Sequence, residues 1–185
     1  MKSFFSLVLS PRMLLLVPLI LWTGAALAYS SGILIPIMRE QQLEDRRKQG
    51  GDEPREEELM ATASQALVLL GLGHCVFGVL MGKLLDRTSM KVGVLASCIV
   101  LAVTITLSWL TVEKMSFDKL TYLCMFFWGA SQAMINTLVF TILGFEFKAK
   151  ALPFTVYTFL QGLSIVVFFS VQEKIKQGHD NLFAQ

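Results

Sequence analysis

The chain has 185 residues, of which 54% are hydrophobic and only 16% are charged, and its mean hydropathy is +0.60. An average soluble domain carries about 25% charged residues, so this composition argues against an ordinary soluble domain and indicates a membrane protein. The net charge of +2 is too small for a nucleic-acid-binding protein, and no nucleic-acid partner is predicted.

Five apolar runs without Asp, Glu, Lys or Arg follow one another along the chain, at residues 13–38, 60–82, 92–112, 120–143 and 151–171. Each run is long enough to cross a bilayer as a helix, and the alternating pattern of a membrane β-barrel is missing. The sequence therefore predicts an all-α fold. We expect a polytopic membrane helix bundle with about five transmembrane helices, formed by residues 1–185 as a single domain.

The first run contains two prolines, Pro18 and Pro36, which predict kinks or helix ends. It is followed by a charged loop, residues 39–59, in which Pro54 and the acidic residues 56–58 indicate the start of a helix. Two interpretations of this loop stay open, a solvated charged segment and a docking surface for a partner. The polar tail, residues 172–185, cannot span a membrane.

His74 lies in the second run, and a histidine inside a membrane helix marks a proton relay or a ligand site, or is satisfied by a neighbouring helix. It shares one helix face with mostly small residues: Ser64, Leu67, Gly71, Cys75, Gly78 and Gly82. Gly78 and Gly82 form a pair that permits a second helix to approach closely. A haem would need another histidine on a membrane helix, and His179 lies in the tail, so no cofactor is predicted.

Three amide side chains lie inside the later runs. Gln132 and Asn136 are four residues apart and share one face of the fourth helix, and Gln161 lies in the middle of the fifth. Amides cannot titrate and so cannot drive proton coupling, but they can form hydrogen bonds between helices. Packing and the lining of a substrate path stay open as alternative roles.

No chemistry of an enzyme is visible in the sequence. The three cysteines, Cys75, Cys98 and Cys124, all lie inside apolar runs, and their spacing matches no zinc pattern. A phosphate-binding glycine loop, a serine elbow and a paired His/Glu motif are all missing from the sequence. We therefore predict no catalytic, cofactor or metal site, and a protein that is not an enzyme.

The orientation follows from the short loops 83–91 and 144–150, which lie on the same side as the N-terminus and are basic. Because positive short loops favour the inner side, we expect the N-terminus in the cytosol, matrix or stroma and the C-terminus on the opposite side. Lys83, Arg87, Lys148 and Lys150 make a basic rim there. The rim is either a topology determinant or a site for anionic lipid headgroups, which would be cardiolipin in a mitochondrial inner membrane.

The loop between the second and third runs resembles the loop signature of the major facilitator superfamily. The residues that carry the resemblance are Gly82, Asp86, Arg87 and Lys91. Stretches at 13–19, 129–137, 142–144, 159–162 and 168–170 resemble, in the same order, the second half of the ion-channel regulatory branch of that superfamily, the Unc-ninety-three type. The resemblance covers about residues 12–171 and implies a half-transporter-like bundle without its last helix.

Departures from the pattern bear on function. Ser89 stands where the signature has glycine, and Met90 where it often has a basic residue. The branch tends to carry acidic residues where this chain has Ala25, Ala26 and Gln132. The resemblance therefore implies ancestry more than it implies transport.

We expect a non-catalytic accessory or structural subunit of a larger membrane protein complex, derived from a transporter half. Its partners would be other membrane subunits and lipids. The alternative is a transporter or channel protomer that acts as a homo- or hetero-oligomer. An organellar inner membrane, with the mitochondrion first, is the expected location, although no arginine-rich presequence is present.

Overall fold

The computed structural model describes residues 2–48, 56–114, 118–147 and 151–183, which are almost wholly helical. A π-helical turn at Ser30–Leu34 joins the second and third helices. The helices are α1 (Lys2–Val8), α2 (Pro11–Tyr29), α3 (Ile35–Lys48), α4 (Glu56–Arg87), α5 (Met90–Lys114), α6 (Lys119–Glu146) and α7 (Ala151–Phe183).

Five helical segments are long and apolar enough to cross a membrane. They are Pro11–Lys48, Glu56–Arg87, Met90–Lys114, Lys119–Glu146 and Ala151–Lys174. Each segment contains one of the five apolar runs. The predicted all-α class is confirmed, as is the number of helices with the length and composition of a membrane span.

The helices extend well beyond the apolar runs, so most of the expected charged loop and tail is helical. Residues 39–48 continue α3, residues 56–59 begin α4, and residues 172–183 continue α7. Helix formers such as Glu, Gln, Leu and Arg dominate residues 39–48, and Lys48 pairs with Glu44 one turn earlier at 3.1 Å. The acidic residues Glu56, Glu57 and Glu58 are helical, and the predicted helix start at Pro54 lies outside the described residues.

The chain divides into two compact units, where the sequence analysis treats it as one domain. Unit 1 comprises Met1–Gly32 and Val139–Gln185, and unit 2 comprises Ile33–Leu138.

In unit 2, α4 and α6 touch backbone to backbone at two glycines. A methyl group at Gly73 would lie 2.1 Å from the carbonyl oxygen of Phe126, and one at Gly129 would lie 1.9 Å from that of Leu70. Both distances are far inside van der Waals contact, and a helix backbone cannot turn aside as a side chain can. Glycine is therefore required at both positions for this crossing.

The close approach does not use the small residues that the sequence analysis selected. A methyl group at Gly71 or Gly82 would meet no atom of another described element within 4 Å, and one at Gly78 would meet only the Ala133 methyl, at 3.9 Å. The buried positions of α4 include Gly73, which lies on nearly the opposite side of the helix from the predicted face, about 150° around its axis. A stripe of small residues shows where a helix can approach, but not where it does.

Helix α5 reverses the polarity of a water-soluble helix. Its buried residues are small or carry hydroxyl groups: Gly93, Ser97, Thr104, Ser108 and Thr111. Its exposed residues include Leu95, Ile99, Ile105 and Trp109, of which Trp109 is 72% exposed. Such a helix suits an apolar surrounding, because it turns its hydrocarbon outward and keeps its polar groups against the protein.

In unit 1, α2 packs against α7 around Gly24. A methyl group at Gly24 would lie 2.5 Å from the carbonyl oxygen of Gln161 and 2.7 Å from the Ser164 Cβ. Ser10 caps α2, since its side chain accepts a hydrogen bond from the Met13 N–H at 3.3 Å.

Pro36 and the π-helical turn before it break the regular hydrogen bonding of the first long segment. Proline has no N–H, so the carbonyl of Gly32, four residues earlier, lacks its ordinary helical donor. The Gln172 Nε2 of α7 donates to that carbonyl at 2.6 Å. A side chain of the region expected to be a polar tail therefore satisfies a backbone group that the proline leaves open.

We expect Gly73→Ala and Gly129→Ala each to lower the free energy of unfolding in detergent by about 1–3 kcal/mol, because the added methyl forces α4 and α6 apart. The matched controls Gly71→Ala and Gly82→Ala should change it by less than about 0.5 kcal/mol, or raise it, since alanine is the better helix former. Thermal unfolding of the purified protein measures both pairs. Equal effects in all four variants would contradict this crossing.

Asp118 immediately precedes α6 and caps its first turn, which gives a second prediction. Its Oδ1 accepts the N–H of Leu120 at 2.8 Å, and its Oδ2 accepts from the Lys114 Nζ. The hydrogen bond from Lys114 holds the pKa of Asp118 below its ordinary value. Asp118→Ala should cost about 1 kcal/mol of stability through the lost cap, and Asp118→Asn, which keeps an acceptor, should cost less.

The pH dependence of this effect has a definite sign. Because the folded-state pKa of Asp118 is lowered, its carboxylate stabilises the fold above the ordinary pKa of aspartate, and this stabilisation is lost as the pH falls through the lowered value. The difference in melting temperature between wild type and Asp118→Ala should therefore shrink from neutral to strongly acidic pH. A difference that stays constant would show that the ion pair with Lys114 contributes nothing.

Candidate functional site

The polar side chains inside the apolar helices are the candidate functional groups, and in unit 1 three of them form a hydrogen-bonded cluster. The Gln161 Nε2 donates to the Tyr157 hydroxyl at 2.9 Å and to the Thr23 Oγ1 at 3.3 Å. The two hydroxyl oxygens are 3.4 Å apart, and Thr23 also donates to the carbonyl of Ile20 at 2.7 Å. Thr23 and Tyr157 are buried and Gln161 is half-buried, so this cluster joins α2 to α7.

Ser164 adds a second bond between the same two helices. Its Oγ donates to the Leu21 carbonyl oxygen at 2.7 Å. Together with the bond from Gln172 to Gly32, this places polar contacts along α7 from Tyr157 to Gln172. Of these residues the sequence analysis selected only Gln161, and the hydrogen bonds favour its packing role over a path-lining role.

Unit 2 holds a polar cluster that the sequence analysis missed. The Trp128 Nε1 of α6 donates to the Ser108 Oγ of α5 at 2.8 Å, and that oxygen lies 3.4 Å from the Cys124 Sγ. Thr104 donates to the Phe127 carbonyl at 3.1 Å. Serine, threonine and tryptophan are common in membrane helices. The sequence alone therefore does not indicate that the side chains of Thr104, Ser108, Cys124 and Trp128 lie close together.

Gln41 lies in the segment expected to be a loop and is fully buried. Its Nε2 donates to the Thr111 carbonyl at 2.9 Å, which ties α3 to the last turns of α5, and its Oε1 has no hydrogen-bond partner among the described residues. The sequence did not predict this contact, because Gln41 lies in a charged run whose other residues are mostly exposed.

The other polar candidates within the apolar runs lie on α4 and α6. Gln132 is buried and Asn136 is half-buried, and both have interaction partners within the chain. His74 is half-buried, and its side chain makes no hydrogen bond or ion pair with the described residues. Its backbone nitrogen contributes to the tight crossing, 3.0 Å from a methyl position on Gly129.

The three charged residues of the loop signature, Asp86, Arg87 and Lys91, are exposed at a helix junction. Asp86 and Arg87 end α4, Lys91 lies in the first turn of α5, and Gly82 lies five residues before Arg87 on α4. None of the three charged residues forms an ion pair within the part of the chain that the structure describes. Of the basic rim, Lys83 and Arg87 are exposed, whereas Lys148 and Lys150 lie outside the described residues.

Candidate metal ligands are scattered. Over residues 2–48, 56–114, 118–147 and 151–183 no three His, Cys, Asp or Glu side chains come together as a metal site would require. Cys75 and Cys98 are exposed on apolar helices, and Cys124 is buried in the Ser108 cluster.

The described residues of each unit line a cavity. The first is amphiphilic and lies between α3 and α4, with a volume of about 140 Å³. It is lined by Ile35, Met38, Arg39, Gln42, Glu56, Leu59, Met60 and Ala63. The second is a groove along α2 and α7 with an almost wholly apolar lining, which includes Leu21, Leu163 and Phe168. Neither cavity contains His74, Gln132, Asn136 or Gln161.

Comparison of the chain with protein-family models, with curated proteins and with solved structures gives no match.

Ser164 and Ser170 offer a matched test of the packing role on one helix. Ser164 bonds to α2, whereas the exposed Ser170 donates only to Val166 of its own helix. Ser164→Ala should lower the free energy of unfolding in detergent by about 0.5–1.5 kcal/mol, and Ser170→Ala should leave it within about 0.5 kcal/mol. A larger loss for Ser170→Ala would show that the bond to α2 contributes no stability.

Proposed function

We propose that the chain is an integral membrane protein whose five apolar segments cross the bilayer. The reversed polarity of α5 supports this, since large aliphatic and aromatic side chains cover its exposed side and hydroxyl groups fill its buried side. In water such a surface would be an aggregation hazard. In a bilayer it is the surface that lipid tails or neighbouring helices cover.

Within the membrane, the chain acts as a non-catalytic accessory or structural subunit of a larger protein complex. The observation that carries this proposal is the use of the polar side chains. Gln161, Tyr157 and Thr23 bond to one another, and Ser108 and Trp128 do the same in unit 2. Their hydrogen bonds join helices to one another, as expected of a structural subunit. Few of their donors and acceptors are left to bind or conduct a solute.

The outer surface supports binding to other membrane subunits. Only 11% of the apolar window of α4 and 17% of that of α5 is buried within the chain, against 67% for α6. Much of α4 and α5 is therefore open to other membrane components. Lipid tails are as apolar as the exposed side chains of these helices, so the hydrophobic effect does not drive helices together in a bilayer. Close packing and polar contacts would therefore decide which subunits bind there.

The resemblance to the major facilitator superfamily supports descent from a transporter half, with the signature at Gly82, Asp86, Arg87 and Lys91 retained as a topology element. An organellar inner membrane, the mitochondrial one first, is the proposed location. The N-terminus would face the matrix, stroma or cytosol. The exposed Lys83 and Arg87 would there meet anionic headgroups, cardiolipin among them.

The alternative, a transporter or channel protomer, rests on His74. A half-buried histidine that makes no hydrogen bond with the described residues is the kind of group that serves a proton or ion path. In that case a second copy or a separate half would complete the path, and His74→Ala would reduce solute flux without reducing assembly.

The test begins with gentle detergent extraction from native membranes, then native gel sizing and mass spectrometry of the co-migrating chains. We expect the protein to run with several other membrane subunits in a fixed ratio. The matched variants are His74→Ala and Ser170→Ala, and both should assemble equally well. Migration alone or as a small homo-oligomer would contradict the subunit role, and a flux defect confined to His74→Ala would establish the transporter.

A further inference from the structure

The amphiphilic cavity between α3 and α4 has the polarity of a phospholipid. Along α3, the apolar Ile35 and Met38 are followed by Arg39. Along α4, Glu56 comes first and the apolar Leu59 and Met60 follow. Helix α3 leaves the first apolar run and α4 enters the second, and the ion pair between Arg46 and Glu58 sets their relative level. Ile35 and Met38 therefore lie at the inner end of the cavity and Glu56 at the outer end, with Arg39 deeper than Glu56.

Two charges of opposite sign line the cavity at different depths. Arg39 and Glu56 are exposed, and neither forms an ion pair within the described ranges. The ion pair that joins these helices is a different one, between Arg46 and Glu58 at 3.2 Å. The hairpin is thus held elsewhere, and Arg39 and Glu56 both face the same cavity without closing it.

We propose that this cavity binds a zwitterionic phospholipid with an ethanolamine headgroup. The phosphate pairs with the guanidinium of Arg39, and the primary ammonium donates to the carboxylate of Glu56. The start of an acyl chain lies against Ile35 and Met38, which are deeper than Arg39. The cavity, at about 140 Å³, holds a headgroup and the first part of a chain rather than a whole lipid.

The pair of charges selects among headgroups. Phosphatidylglycerol offers a phosphate to Arg39 but no cation to Glu56. The negative carboxylate of Glu56 would therefore repel this anionic lipid. A phosphatidylcholine offers a cation without N–H donors, so it can approach Glu56 but cannot form hydrogen bonds with it. Ethanolamine alone of the three satisfies both side chains. This inference rests on the proposal that the chain lies in a bilayer, and is independent of whether it belongs to a complex.

Native mass spectrometry of the full chain in detergent tests it, with phosphatidylethanolamine, phosphatidylcholine and phosphatidylglycerol of identical acyl chains titrated separately. The wild type should bind the ethanolamine lipid about fivefold or more tighter than the other two. Arg39→Gln should weaken all three lipids about fivefold to tenfold. Glu56→Gln should weaken the ethanolamine lipid by a similar factor and abolish its advantage over phosphatidylglycerol.

Two exposed neighbours give charge-matched controls. Arg47→Gln and Glu57→Gln change the net charge as the test variants do, but neither residue lines the cavity. Both should leave lipid binding within about twofold. Equal binding of the three lipids by the wild type, or equal effects of test and control variants, would overturn the proposal. All four positions are exposed, and unchanged thermal unfolding in lipid-free detergent verifies that each variant folds.

Discussion

The backbone contact between α4 and α6 is the constraint on which the interior of unit 2 depends. Gly73 faces the carbonyl of Phe126, and Gly129 faces the carbonyl of Leu70. The two helices therefore lie closer together than a side chain at either position would allow. Nearness of this kind increases dispersion contact and permits Cα–H···O contacts, which matter where the hydrophobic effect cannot drive helices together. Larger neighbours such as Phe77 and Phe126 then pack around the crossing, with ring centroids 6.0 Å apart.

Satisfaction of polar groups is the second rule of the structure, and it acts through the same closeness. Hydroxyl groups donate hydrogen bonds to backbone carbonyls of their own helix, as the Ser97 Oγ does to the Gly93 carbonyl oxygen at 2.9 Å. Where the helix ladder is broken at Pro36, the amide of Gln172 supplies the missing donor to Gly32. In the bilayer that we propose for this chain, each such group would need a partner from the protein. The polar residues of these helices are therefore placed by the demands of the backbone as much as by any ligand.

The sequence could predict the five apolar helices, because charge-free runs of that length have few alternatives. It could also predict that Gln161 has a role inside the protein, because a mid-membrane amide needs a partner. It could not predict that Gly73 rather than Gly78 forms the close crossing, since Gly78 has a small residue four positions away at Gly82, whereas Gly73 is flanked at that spacing by Leu69 and Phe77. The Ser108–Trp128 contact joins residues 20 apart in sequence on separate helices, and no local spacing encodes it.

Polarity is therefore divided between two places in the molecule. In the apolar middle of the helices the polar side chains are mostly consumed by packing, as at Thr23 and Ser108. The helices extend beyond their apolar runs. Charged side chains on these extensions, such as Arg39 and Asp86, remain able to bind other groups. Under the proposed function, such a protein would recognise lipids and partner subunits at the level of the headgroups, while its middle would supply rigidity. Selectivity for partners would then be encoded in the charged ends of α3, α4 and α5, which is where variation in charge costs the fold least.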